Sequence, residues 1–579
     1  MVLFGGIYFF TIWVDVSEIA TNSKKFDFTI GSKIEQEAKF HIKVEHNQTT
    51  LSCNGKRVLL DRSKKHDYFY HGEEQITIPL NRGENRCHAV DMQSKIKQKI
   101  DFMDFMLLFI LLGIPLFSLL FFIVVGILNF FKRYIKVDEK SIDKKSIDKS
   151  VSNASLWIGI ELLLLVGVAI RIAYFEKYGI MLFQHDWHGH IEYIKYVVEN
   201  GVLPTIPMKG WEFPQQPLYY FITSGLYTIF IENGFSDQEA LHHLGYFSLF
   251  CSVIFLYYSY FLLKLLSKNQ WVHMVGVIFV SLTPSLVYMS ARINNDALVM
   301  ALSTLSLYFI IKSYQSKFQD GFYLALVGVS LLFFTKVSTM TLELLFLVLL
   351  IVIYLKNRDR TKQKELDKKL YIYGVVGIFV LGLTLLRVYM PLDGSFYVVN
   401  AAKYPGQTLD VLDASYFATF NIMDLISTGQ SHINGEDAVR HSFITYLYGT
   451  MFFGEFDYAY FININSYLSA IMPMVLFLGL LYIVGLSGYI IALKNEPIVN
   501  KILFLIVVIN LIMIVNFVIT YPSICHTDFR FFVASFTLLA FVFARGLEYI
   551  AFNLIIKRVI GTLLGLLVAS EILFFYFLI

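Results

Sequence analysis

Charged residues are scarce in this chain. Asp, Glu, Lys and Arg make up 16% of its 579 residues, where a soluble globular domain carries about 25%. With 56% hydrophobic residues and a mean hydropathy of +0.58, that scarcity excludes a wholly water-soluble protein. Cysteine is scarcer still, at four residues, and none has the spacing of a zinc site. Cys251 lies inside an apolar run and reads as a packing residue. Cys53 and Cys87 share one polar segment, where they could pair as a disulfide on the non-cytosolic side of a membrane. The metalloprotease motif His-Glu-x-x-His is missing, which argues against a membrane metallohydrolase.

What is present is a series of apolar runs near the roughly 20 residues that a bilayer crossing demands. They fall at about 103–131, 156–175, 241–265, 271–290, 296–313, 321–336, 338–355, 370–390, 467–493, 500–520, 531–547 and 559–579. Residues 1–13 read as a signal anchor or first span, which brings the expected total to about thirteen. The 36 Tyr and 54 Phe suit lipid-facing surfaces and interfacial belts and need no cofactor to explain them.

Residues 14–101 differ in pattern. Phe40, Ile42 and Val44 alternate with charged and polar neighbours, as do Ile76, Ile78 and Leu80, which predicts half-buried strands. Asn54-Gly55 is a hairpin signal. The expectation is a small β-sandwich-like domain outside the cytosol, followed by a transmembrane helix within 102–131. The basic segment 132–155, with its near-repeat Lys140-Ser-Ile-Asp-Lys144 and Lys145-Ser-Ile-Asp-Lys149, reads as a solvated cytoplasmic linker. A multi-span transmembrane domain then occupies 156–579.

The apolar stretch 217–232 decides the topology. If it does not cross, the basic clusters at 132–149, 264/268, 312/317, 356–369, 494/501 and 545–558 all share one side, as the positive-inside rule requires. It is therefore read as a juxtamembrane or half-inserted helix. This solution gathers residues 176–240, Arg292-Ile-Asn-Asn-Asp296, Thr335-Lys336, Cys525-His-Thr-Asp-Phe-Arg530 and the long loop 391–466 on the non-cytoplasmic face.

The densest of these clusters is Phe183-Gln-His-Asp-Trp-His-Gly-His190. Ionisable groups beside a bilayer are costly and commonly functional. Asp186 opens an amphipathic helix that ends at Asn200-Gly201, and it lies one turn before His190. Read blandly, Asp186 is an N-cap and the histidines are interfacial. A second carboxylate, Glu212, and a third, Asp296, come back to the same face. His188, His190 and Glu212 are candidate ligands of a divalent metal ion, and Asp186/His190 have a suitable i, i+4 spacing.

In their order, these features resemble the C-type, polyprenyl-phosphate-sugar-dependent membrane glycosyltransferases, in particular the protein O-mannosyltransferase and aminoarabinose-transferase group. The resemblance rests on Asp186, on Gln216-Pro217-Leu218-Tyr219-Tyr220, on Pro284 through Asp296, on Thr335-Lys336 and on Asp528-Phe-Arg530, and covers about residues 155–550. It departs in having Asp186-Trp-His instead of paired acids and Gln216-Pro217 instead of Pro-Pro. Residues 1 to about 131 lie outside the shared core.

The resemblance implies an all-α, polytopic, GT-C-like core that transfers a hexose or pentose from a polyprenyl-phosphate carrier to a hydroxyl on a protein, lipid or glycan. Asp186 is the expected general base of an inverting displacement. Lys336, Arg530 and, more weakly, Arg292 are the expected phosphate partners. Tyr219, Tyr220, Gln216, Asn295, Asp296 and Asp528 complete the expected substrate-binding set. The expected setting is the periplasmic face of a bacterial inner membrane, in contact with membrane lipids and with no nucleic-acid partner. The alternative is a secondary transporter or lipid flippase using the same polar cluster. That reading predicts midplane polar groups recurring in two related halves, which the sequence does not display.

Overall fold

The computed structural model describes the strands of residues 12–98 as backbone. It also describes 144–180, 186–204, 210, 212–357, 360–388, 414–423, 425, 442–454, 467–522 and 524–579. The chain divides into two compact units, one built essentially on Met1–Lys140 and the other on the rest.

Among its described residues the first unit contains eight strands: β1 Ile12–Asp15, β2 Lys25–Ser32, β3 Gln36–Val44, β4 Gln48–Cys53, β5 Lys56–Asp61, β6 Glu73–Leu80, β7 Gly83–Val90 and β8 Met92–Gln98. They form an antiparallel five-stranded sheet, β1-β2-β7-β4-β5, and a three-stranded sheet, β6-β3-β8. Cys53 pairs with Lys56 across β4 and β5; the hairpin signal Asn54-Gly55 between them lies outside the described residues. The register of β4 on β7 sets Cys53 opposite Cys87. Of residues 1–13 only Ile12 and Trp13 are described, and they begin β1; the rest of the expected signal anchor or first span lies outside the described residues. The expected span within 102–131 lies outside the described residues.

The second unit is helical. Its helices are α1 Lys144–Tyr178, α2 Trp187–Asn200, α3 Leu218–Glu232, α4 Asp237–Leu266, α5 Gln270–Leu282, α6 Pro284–Met289, α7 Asn295–Gln315, α8 Phe322–Phe333, α9 Met340–Lys356 and α10 Arg360–Val388. They continue with α11 Ala414–Ala418, α12 Phe443–Phe453, α13 Leu468–Ala492, α14 Ile498–Thr520, α15 Phe536–Ile550 and α16 Leu554–Leu578. Among the described residues, eight helical segments are long and apolar enough to cross a bilayer. The protein is a multi-pass integral membrane protein.

Of the expected thirteen spans, those at 1–13 and 103–131 lie outside this count of the described residues, and three others differ for local reasons. The run 271–290 is two helices, α5 and α6, because Pro284 has no N–H to continue the first. The run 321–336 becomes the 12-residue α8, and the apolar half of α10 follows a charged first half. Part of the expected linker is helix, since no Gly or Pro between Lys144 and Ile158 interrupts α1. The segment 391–466, expected to be an external loop, includes the apolar helix α12, and Phe443, Tyr446, Phe452 and Phe453 are buried.

The break at Pro284 explains a fully buried arginine. Without an N–H at residue 284, the carbonyl of Val280 loses its helical partner. Arg171 of α1 supplies one, donating to Val280 O at 3.2 Å and Ser281 O at 2.7 Å. It also donates to Gly167 O at 3.0 Å and Ser252 Oγ at 2.8 Å. Further along, α13 and α15 cross backbone to backbone. A Cβ on Gly546 would stand 1.7 Å from the carbonyl oxygen of Gly485, so only glycine permits that approach.

Hydrogen bonds fix the two ends of the bundle. Gln315 at the end of α7 donates to Leu265 O at the end of α4. Asn269 and Arg545 both meet Glu548, and Arg545 also meets Glu496. The start of α7, the end of α8 and the start of the α15 segment lie at the other end, where the candidate site is.

Candidate active site

Asp186 sits at the N-terminus of α2 with φ 57° and ψ 7°, a left-handed conformation. Its carbonyl accepts from His190 N at 3.1 Å, and α2 stops at Gly201 as expected. The Asp186 side chain makes no capping hydrogen bond. Instead, its Oδ2 accepts from Arg530 Nη1 at 2.9 Å. The acid therefore serves a tertiary contact across 344 residues and not its own helix.

Arg530 is carried on the 3₁₀ turn Phe529–Ser535. Asp528 caps that turn, with Oδ1 accepting from Arg530 N at 3.1 Å, while its Oδ2 lies 3.3 Å from Arg530 Nε. Thr450 of α12 anchors the turn from below, its Oγ1 accepting from Phe529 N at 3.0 Å. One guanidinium is thus held between two carboxylates. Burial pushes the Asp528 carboxyl up, opposed by Arg530 and Arg292.

The second ion pair is Lys336–Asp296. Nζ and Oδ1 are 2.5 Å apart, with side-chain exposures of 13% and 4%, so water screens the pair little. Asp296 lies in the first turn of α7, where the helix dipole also favours a negative charge. Lys336 follows the tight end of α8, its N–H donating to Leu332 O. The two ion pairs share a neighbour, because Lys336 lies 5.2 Å and Arg530 5.5 Å from the centre of the Phe531 ring.

Polar and aromatic groups of α2, α3 and the turn before α3 close around these pairs. Leu218 N donates to Phe334 O at 3.0 Å, docking the start of α3 against the Lys336 turn. Asn295 Nδ2 donates to Gln215 Oε1 at 3.2 Å and to Thr335 O at 3.4 Å. Tyr219 and Tyr220 are fully buried, and so is all but 2% of Gln216. His190 Nδ1 and Tyr220 Oη are 2.8 Å apart, and the Tyr220 ring stacks on Tyr193 with centroids 3.7 Å apart. Burial pushes His190 down to about 4, so its imidazole is neutral.

Glu212 is 6% exposed. Burial first, and then the Asp186 charge, push its carboxyl up to about 8 against the opposing pull of Arg530 and Lys336. Arg292 is buried beside this centre, acting electrostatically on Asp528 while its carbonyl accepts from Ser248 Oγ at 2.5 Å.

Asp186, Glu212, Asn295, Asp296, Lys336, Asp528 and Arg530 therefore meet in one place, with Tyr219, Tyr220, Gln216 and Arg292 in the walls around it. The candidate metal ligands do not form a set. His188 is on the exposed side of α2 against Trp187, whereas His190 is turned inward to Tyr220. Among the described residues no group of three or more His, Cys, Asp or Glu side chains is placed to hold a metal ion. These residues do not fit a metal site.

Four contributors escape a reading of the sequence. Gln215 stands inside a motif noted for its neighbour, and His526, whose Nδ1 meets Tyr521 O at 2.6 Å, stands inside a motif noted for Arg530. Burial pushes His526 down, and the charges of Arg530 and Asp186 reach it. Phe531 is one of 54 phenylalanines, and Thr450 lies in a segment expected to be loop.

The fold and the site define a polytopic membrane protein with a charged, largely buried polar centre at one end of its helices. Residues 214–386, less than half of the chain, match the family described as dolichyl-phosphate-mannose-protein mannosyltransferase. The match includes Gln216, Tyr219, Tyr220, Arg292, Asn295, Asp296 and Lys336, and it shows the resemblance to the C-type protein mannosyltransferases that those motifs carry. Asp186, Glu212 and Arg530 lie outside it. No curated protein matches the chain.

Among solved structures, the oligosaccharyltransferase of Archaeoglobus fulgidus in complex with Zn and sulfate is 13% identical over 72% of this chain and 53% of its own, with a TM-score of 0.40. Its apo form is 12% identical over 73% and 56%, with a TM-score of 0.42. Its complex with an inhibitory peptide and a dolichol-phosphate is 11% identical over 72% and 56%, with a TM-score of 0.39. The chain spans a little over half the length of these structures.

Proposed function

We propose that this protein is a glycosyltransferase that moves a sugar from a polyprenyl-phosphate carrier to a hydroxyl acceptor, with inversion, outside the cytosol. One observation carries the reading. The acid–cation pairs Asp186–Arg530 and Lys336–Asp296 are joined at Phe531, and the second lies within the segment that matches a lipid-phosphate-sugar-dependent family.

The chemistry follows from these groups. A polyprenyl donor keeps its tail in the bilayer and its phosphate at the boundary, where water is scarce and fixed cations act strongly. Arg530 and Lys336 are preformed there, held in position by Asp528 and Asp296. A guanidinium has five N–H donors, so Arg530 can take phosphate oxygens while still meeting a carboxylate. As the phosphate draws on Arg530, the Asp186 carboxylate becomes available to accept the proton of the acceptor hydroxyl. Tyr219, Tyr220, Gln216 and Asn295, buried beside these pairs, are the proposed walls of the sugar site.

Sidedness is supported by charge. Lys264, Lys312, Lys356, Lys494 and Arg545 fall at the bundle end opposite the site, which the positive-inside rule assigns to the cytosol. The site end then faces the periplasm or cell exterior.

The test is transfer from a polyprenyl-phosphate-linked sugar by purified protein in proteoliposomes, followed by mass spectrometry of the lipid and the glycosylated product. Asp186→Asn is expected to abolish transfer while leaving binding of polyprenyl phosphate intact. Full transfer by that variant would sink the assignment of the base. Movement of intact lipid across the vesicle without transfer would favour a flippase.

A further inference from the structure

The cysteines divide evenly between the two units. Cys251 and Cys525 belong to the helical one, where Cys251 is a buried free thiol. Cys53 and Cys87 belong to the strand unit, the first at the last position of β4 and the second within β7. The register of these strands sets the two directly opposite each other. Residues that face across an antiparallel pair have Cα atoms about 4.5 or 5.5 Å apart. A disulfide accepts Cα separations of about 4.4–6.8 Å, so either kind of pair can be bridged without moving the backbone.

Alternation along the strands puts both cysteines on one face of the five-stranded sheet. That face also carries Phe26, Phe28, Leu51, Val58 and Ala89, whereas Asp27, Ser52, Arg57, Arg86 and His88 take the other. An apolar face opposite a polar one is the face a sheet turns toward a core. The pair also stands at the weakest seam of the sheet. β2 runs along the whole of β7 and β4 along the whole of β5, but β4 meets β7 only over Leu51–Cys53. That short ladder attaches β4 and the edge strand β5 to the rest of the sheet. Between Cys53 and Cys87 the chain makes β5, joins the three-stranded sheet as β6 and returns as β7.

We propose that Cys53 and Cys87 form a cross-strand disulfide that fastens β4 and β5 to the remainder of the five-stranded sheet. The bond belongs to the strand unit and stands apart from the chemistry of the helical one. It forms by thiol–disulfide exchange. A partner disulfide, on a thiol oxidoreductase or a small molecule such as oxidised glutathione, takes two electrons and two protons from the cysteines and leaves as two thiols. Such a bond persists in an oxidising compartment and not in a reducing cytosol. The charge pattern of the sequence predicts that setting for residues 14–101.

The test traps free thiols with N-ethylmaleimide in membranes holding the full-length protein, then maps its peptides by mass spectrometry without reduction. The expected result is one peptide pair joining Cys53 to Cys87, which reduction separates. Both residues carrying N-ethylmaleimide would overturn the proposal, as would either one joined to a different cysteine or to another copy of the chain.

Hydrogen exchange on the intact protein is the second measurement. Cys53→Ser, Cys87→Ser and the double variant should each speed exchange in Gln48–Asp61 by roughly 30-fold. The double variant should match the singles, because the first substitution already breaks the bond. Losses that add from one variant to the next would mark two separate packing residues and refute the bond.

Discussion

Replacing Lys336 with methionine removes a charge while nearly preserving length, and its cost follows from the burial of its partner. Asp296 is 4% exposed on its side chain, and Lys336 Nζ lies 2.5 Å from it. Breaking such a pair from one side leaves a buried charge without a partner, which costs about 3–5 kcal/mol, whereas an exposed pair is worth about 1 kcal/mol or less. Asp296→Asn should cost less, since Asn can still accept a hydrogen bond from Lys336. The double variant should recover much of the single-variant loss, because neither charge is then stranded.

The assay is a double-mutant cycle on unfolding in detergent, read from the tryptophan signal or from loss of monodisperse protein. A coupling of about 2 kcal/mol or more is expected. Single variants that each cost under about 1 kcal/mol and add without coupling would refute the claim that this pair is shielded from water. Transfer activity should remain low in the double variant even where stability returns, since the cation proposed to hold phosphate is gone.

Arg171→Met should be among the more destabilising changes outside the site. It strands the carbonyls of Val280 and Ser281, at about 1–3 kcal/mol for each buried group; a midpoint within about 0.5 kcal/mol of the wild type would show that water replaces the guanidinium. Stability should also vary with pH through two groups of opposite sign. Glu212 is raised from 4.5 to about 8, so the native state holds the extra proton and stability falls as pH rises across that window. His190 is lowered from 6.5 to about 4, so stability falls as pH drops across that window. Glu212→Gln should flatten the alkaline slope and His190→Gln the acid slope in thermal melts, and slopes unchanged by both would contradict the assigned burial.

The sequence made the meeting of distant clusters legible through charge. Sorting Lys and Arg by loop brought 186, 296, 336 and 530 together without a contact map, and the structure joins the same four residues. It did not reveal that the acids and cations pair with each other, because an ion pair across 344 residues leaves no local pattern. Apolar runs and helices differ where apolarity and helix continuity part company. Hydropathy passes smoothly over Pro284, while the hydrogen-bond ladder stops there and needs Arg171 to complete it. Phe531 stayed hidden because one ring among many apolar neighbours has no signature, and its importance comes from two cations that reach it from different turns.

The left-handed backbone at Asp186 has a consequence for anyone reading sequence variation or building a mutant library at this position. A positive φ is comfortable for glycine and tolerable for asparagine and aspartate, but costs other side chains about 1–2 kcal/mol. Glutamate would keep the charge yet impose a backbone penalty and a longer reach, and alanine would lose the carboxylate and incur strain together. Asparagine alone separates the loss of charge from the loss of shape. Selection for turnover here therefore acts on backbone and carboxylate at once, and most substitutions would score as catalytic lesions when part of their defect is conformational.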